Sequence, residues 1–186
     1  MKKISGILMV FVFSLLAGCE GIPGPPGMDG LDGEDGESFL GSVFEIERDF
    51  TSENDYQAFF EFPNTIEVFE SDVVLVYILW EQAEDQNGDP LDVWRLLPQS
   101  VVLGDEILQY NYDYTFADVR LFLEGSIDFN TLTPAEALNQ IFRVVVFPAA
   151  MVKNNQIDLN NYNSVIQSLD INPRSIERLE AATPKE

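Results

Sequence analysis

The sequence predicts an all-β domain: an antiparallel β-sandwich of about seven or eight strands with a short C-terminal helix, preceded by a signal peptide and an extended Gly-x-y tether. Three observations carry that expectation. Short stretches of alternating apolar and polar residues recur from residue 39 onward, punctuated by Gly, Pro, Asn and Asp. One stretch, residues 72–80, is apolar on both faces, as a strand covered on two sides must be. No long helical periodicity separates the strands, which argues against crossover helices and a parallel sheet.

The chain opens with Met1-Lys2-Lys3 and the apolar run 7–16, closed by Leu16-Ala17-Gly18-Cys19. That run is too short for a permanent transmembrane helix and has the flanks of a secretory signal peptide. Its closing tetrad resembles the lipobox of bacterial lipoproteins, which implies cleavage between Gly18 and Cys19 and acylation of Cys19. Residues 1–18 are therefore expected to be a removable leader. With each buried CH2 worth about 0.8 kcal/mol, several acyl chains on Cys19 would make a durable anchor.

Glycine then stands at every third position from Gly21 to Gly36, the period of a collagen triple helix. Charge opposes trimerisation. Asp29, Asp32, Glu34, Asp35 and Glu37 crowd the second half of the repeat, with no Lys or Arg to offset them. Residues 19–38 are expected to act as a solvated spacer in preference to a homotrimeric stalk. At roughly 3.1 Å per residue its triplet repeat, residues 21–38, would hold a domain, residues 39–186, up to about 55 Å from the lipid.

Within that domain, residues 42–48 alternate, with Phe44 and Ile46 on one face and Glu45 and Glu47 on the other. Residues 56–62 read as a strand stopped by Pro63, and residues 65–69 as a short alternating strand. The apolar run 72–80 should pair with residues 92–97 across the loop 84–91, and residues 99–103 continue after Pro98. Residues 107–116 place Leu108, Tyr110, Tyr112, Tyr114 and Phe116 on one side and polar residues on the other. Two further strands are expected over 119–124 and 141–147.

Two helical pieces complete the pattern. Thr133 followed by Pro134 is a cap with proline in the first turn, so one or two turns should follow. Residues 161–169 place Tyr162, Val165, Ile166 and Leu169 on one stripe that should dock on the sheet or close one end of it. The polar tail from Ala181 is expected to fray.

The lipobox, the brief glycine triplets, the run Ile-Glu-Val-Phe-Glu-Ser-Asp-Val-Val-Leu-Val-Tyr over residues 66–77 and Leu-Gln-Tyr-Asn-Tyr over residues 108–112 are similar to a set of small Bacteroidota lipoproteins labelled "collagen-like protein". The resemblance implies an outer-membrane location and this architecture, with the periplasmic or surface side undecided. It implies no activity, because the label reflects the triplets alone.

Composition narrows the function. A content of 46% hydrophobic and 12% aromatic residues supplies a core. Loss of Lys2 and Lys3 with the leader leaves 32 acids against 8 bases, a net charge of −24. Such a polyanion repels nucleic acid and anionic headgroups. With no histidine and Cys19 as the single thiol, histidine-based triads and the usual His/Cys zinc sites are excluded.

Three sets of residues could still carry a site. Asp85, Asn87, Asp89 and Asp92 resemble the start of a calcium loop, yet Gly88 precedes the third ligand position and Pro90 stands where glycine should be. Asn87-Gly88 explains the same stretch as an ordinary hairpin turn. Tyr110, Tyr112 and Tyr114, with Trp80 or Trp94 beside them, could form a platform for sugar rings, but a half-buried strand must turn its apolar side inward. Arg95, Arg120 and Arg143 could gather an anion, although arginines among so many carboxylates are expected to be paired. Paired acids such as Glu45 and Glu47 arise by chance at this composition and give little support to a glycosidase.

The expected function is that of a non-enzymatic, membrane-anchored lipoprotein, an accessory or scaffold component of the cell envelope that binds another envelope protein. The alternative is a calcium- or glycan-binding module displayed on the envelope. No cofactor is expected, calcium excepted.

Overall fold

The computed structural model describes residues 41–149, 151 and 157–180, all within the second of the chain's two units, Ser38–Glu186. The expected leader, the Gly18/Cys19 junction, the spacer 19–38 and the tail from 181 lie outside the described residues.

Eight strands follow in order: β1 (Ser42–Arg48), β2 (Gln57–Glu61), β3 (Val73–Glu84), β4 (Pro90–Leu96), β5 (Gln99–Leu103), β6 (Glu106–Tyr114), β7 (Asp118–Gly125) and β8 (Gln140–Phe147). Helix α1 (Pro134–Ala137) precedes β8 and α2 (Tyr162–Ser168) follows it. The strands form two antiparallel four-stranded sheets, β1-β8-β3-β4 and β2-β7-β6-β5, hereafter the first and second sheets. They make a β-sandwich.

Alternation decides which side chains meet between the sheets. Phe44 and Ile46 of β1, Val74, Val76 and Ile78 of β3, and Phe142, Val144 and Val146 of β8 pack against Phe60, Leu108, Tyr110, Val119, Leu121 and Leu123. The intervening residues of the first sheet are apolar as well. Leu75, Tyr77, Val145 and Phe147 form a second core on its outer face, closed by Val165 and Leu169. The apolar run of β3 therefore lies between two layers, as its two-faced hydrophobicity requires. Asn161 caps α2 by accepting from the Ser164 amide at 3.2 Å, while Thr133 and Glu136 close a capping pair around α1 through Thr133 N–H to Glu136 Oε2 at 2.7 Å.

The two ends of the β3–β4 hairpin differ from the sequence expectation. Trp80 is an extra residue between the Leu79 and Glu81 pairings, a bulge after which the hairpin continues to Glu84↔Pro90. Both strands are thereby longer than residues 72–80 and 92–97, and the expected loop 84–91 contracts to a tight turn. Residues 65–69 are not a strand. Ile66 donates its amide to the Pro63 carbonyl at 2.8 Å, so the segment turns after the proline, and no neighbouring strand pairs with it. Its alternation has another cause: Ile66 and Val68 pack on the inner core as the loop crosses the end of the sandwich.

Candidate functional site

The acidic turn is built by its own carboxylate. Asp85 Oδ1 accepts from the Asn87 amide at 2.7 Å and the Asp89 amide at 2.9 Å, and Oδ2 accepts from Asn87 Nδ2 at 3.3 Å. Gly88 supplies the left-handed residue with φ +83°. These backbone hydrogen bonds, first from Asp89 and then from Asn87, hold the Asp85 carboxyl below its ordinary value. Asp92 lies across the hairpin, its Oδ1 accepting from Gln82 Nε2 at 2.8 Å. Among the described residues no group of three or more acidic, histidine or cysteine side chains could hold a metal ion.

The tyrosine stripe divides along β6. Tyr110 is buried and donates to the Glu136 carbonyl at 2.6 Å. Tyr112 is half-buried and donates to the Val74 carbonyl at 3.2 Å. Tyr114 is exposed, stacked on Tyr112 with ring centroids 6.3 Å apart. Burial raises all three resolved phenols of the interior, Tyr77, Tyr110 and Tyr112, with Tyr110 pushed up to about 12. Trp80 packs on the inner core, whereas Trp94 belongs to the outer face of the first sheet. Trp94 is therefore separated from the tyrosine stripe, whereas Trp80 shares the inner core with Tyr110 and Tyr112.

The three strand arginines also go to different places. Arg120 pairs with Asp113 on the outer face of the second sheet, and Arg95 lies 4.0 Å over the Trp80 ring. Arg143 alone is buried, its side chain 3% exposed. It lies in the row Glu45–Arg143–Tyr77 that crosses β1, β8 and β3, at the border of the apolar area closed by α2. Its Nε donates to Glu45 Oε1 at 3.2 Å, and its two terminal nitrogens reach Glu45 Oε1 and the Tyr162 hydroxyl. The guanidinium sits 3.9 Å over the Trp94 ring. Burial lowers the Arg143 guanidinium; hydrogen bonding and charge from Glu45, then the charge of Asp92, oppose that shift.

Beyond Arg143 the outer face of the first sheet opens into a cleft of about 470 Å3. Its floor is Glu45, Arg143, Trp94 and Tyr162. One wall is the β3–β4 hairpin, with Gln82, Leu91 and Asp92; the other is the C-terminal segment, with Pro173, Arg174 and Ile176. That segment is tied to the edge of β1: the Glu45 amide donates to the Glu177 carbonyl, and the Leu179 amide donates to the Glu45 carbonyl, both at 2.8 Å. Arg178 adds ion pairs to Glu45 at 3.3 Å and Glu47 at 2.8 Å. Both carboxylates are thus held by arginine. A second depression of about 680 Å3, beside Phe62, Ile66 and Phe116, is rimmed by acids and has no cation in its lining.

Comparison with protein-family models, curated proteins and solved structures finds no match. The reading of the cleft therefore stands on its own geometry. Trp94 and Arg143 each carried a signal in the sequence, an indole and a charge inside a strand. Arg174 and Asp92 meet only because the C-terminal segment returns across the hairpin side of the sheet.

Proposed function

We propose that this protein is a non-enzymatic lipoprotein of the cell envelope, an accessory or scaffold component that binds another envelope protein. Leu16-Ala17-Gly18-Cys19, closing an apolar run and containing the chain's one cysteine, carries this reading. Lipid on Cys19 would hold the chain at the outer membrane, and the acidic spacer would keep the sandwich clear of the headgroups. The strands begin at Ser42, just past the last triplet, which suits a tether that ends where folding starts. Proximity labelling from the anchored protein tests the reading. Enrichment of an envelope protein over an unrelated lipidated control is the expected result; labelling indistinguishable from that control would contradict it.

A second reading, a glycan-binding module displayed on the envelope, is favoured by the cleft. Aromatic rings, amide, carboxylate and guanidinium groups converge there in a volume within the usual range for small-molecule sites, about 300–1,000 Å3. Calcium has less support, because the Asp85 carboxylate is engaged in its own turn.

A further inference from the structure

We infer that the cleft on the outer face of the first sheet takes a carboxylate-bearing sugar, a uronic acid residue, with Arg174 as the group that recognises the acid; this rests on the glycan-binding reading. Past Cys19 the chain has eight bases against 32 acids, so a cation left facing an open cleft is scarce. Among the described residues Arg178, Arg143 and Arg120 are ion-paired, and Arg48 and Arg95 lie over Phe60 and Trp80. Among the described residues Arg174 has neither an ion pair nor a ring beneath it, and it lines the cleft. A guanidinium in that position presents a planar fork matched to a carboxylate.

The surroundings define the remainder of the ligand. Gln82 and Asp92 line the same cleft, hydrogen-bonded to each other at 2.8 Å and retaining acceptor capacity for hydroxyl groups. Between the walls, the Trp94 and Tyr162 rings lie nearly parallel, 21° apart with centroids 6.3 Å apart, and offer aromatic surface to the C–H face of a ring. Arg143 locks these rings in place from below. A simple carboxylate would use one wall and a neutral sugar the other; a sugar acid uses both. The long-range field of a polyanion opposes any anion. Within the cleft Arg143 and Arg174 balance Glu45 and Asp92, so its lining adds no net negative charge to that field.

The test measures binding of glucuronate, glucose and acetate to the full-length lipidated protein in detergent, by calorimetry and by tryptophan fluorescence. Glucuronate should bind at least about tenfold more tightly than glucose or acetate. Arg174→Gln should lower glucuronate affinity by about tenfold, the scale of one charge-assisted pair, and leave glucose affinity and the melting temperature unchanged. Asp92→Asn should weaken both sugars together. Equal affinity for glucuronate and glucose, or a glucuronate affinity indifferent to Arg174→Gln, would overturn the proposal and leave the glycan-binding reading standing. No binding of either sugar, with no hit on a glycan array, would remove both.

Discussion

The two sheets of the sandwich share a core but face different surroundings on their other sides. The outer face of the first sheet is roofed by α2 and the C-terminal segment, with Leu75, Tyr77, Val145 and Phe147 beneath. The outer face of the second sheet is open, and it is laid out as polar rows. Gln109 Nε2 donates to Ser100 Oγ at 2.9 Å, Asn111 Nδ2 donates to Glu124 Oε2 at 2.9 Å, and Arg120 pairs with Asp113. The edges differ in the same sense. Residues 177–179 pair with β1 at one edge of the first sheet, whereas β5, at an edge of the second, leaves Val102 72% exposed. One sheet is the middle layer of three, and the other is an outside wall. The C-terminal segment walls the cleft on the outer face of the first sheet, where Arg143 and Trp94 are found.

The largest expected effects follow from breaking that layer. Phe147→Ala, on the covered outer face, should cost about 3–5 kcal/mol in chemical denaturation. Phe122→Ala, on the outer face of the second sheet, where its ring lies under Arg120, should cost well under half as much. Comparable losses at the two positions would erase the distinction between the sheets.

The ion pairs repeat the contrast at somewhat smaller scale. Glu45→Ala leaves the buried Arg143 guanidinium without its carboxylate and should cost about 3 kcal/mol or more. Asp113→Ala removes an exposed, solvent-screened partner of Arg120 and should cost far less. A double-mutant cycle at each pair measures the two coupling energies directly.

Alkaline titration gives a third test. The Tyr110 phenol is raised to about 12 in the folded protein by burial, against about 10 in the unfolded chain. The unfolded chain therefore ionises first. The contribution of Tyr110 is fully present below pH 10 and is lost as pH rises through about 12, a decline on the order of 2–3 kcal/mol. Tyr110→Phe should make the fall in stability over that window shallower. An unchanged slope would mean that the hydroxyl is not held in the core.

Much of this architecture was legible in the residues. The two-faced apolar run of β3 announced a central strand with cover on both sides, and the Tyr162, Val165, Ile166 and Leu169 stripe announced the element that supplies it. The alternation of β6 was legible too, down to the inward direction of Tyr110. Residues 65–69 misled because alternation reports which side chains dip into a core, and a loop crossing the end of a sandwich can satisfy it without a strand partner. The bulge at Trp80 had no local signature, whereas Asn87-Gly88 marked the turn of the extended hairpin. The cleft was the least legible. Asp92 and Arg174 are far apart in sequence, and their juxtaposition depends on residues 177–179 choosing the edge of β1, a tertiary choice that no local pattern encodes. Glu45 illustrates the limit well: it reads as one acid among many, yet it is the partner of both Arg143 and Arg178.

Deleting residues 157–186 and following unfolding tests the third layer most directly. The shortened chain should lose its cooperative transition, or retain it only with a greatly lowered midpoint, and should bind a hydrophobic dye at the exposed face of Leu75, Tyr77, Val145 and Phe147. An undiminished midpoint without dye binding would show that the first sheet stands as well without its roof, and would contradict the account.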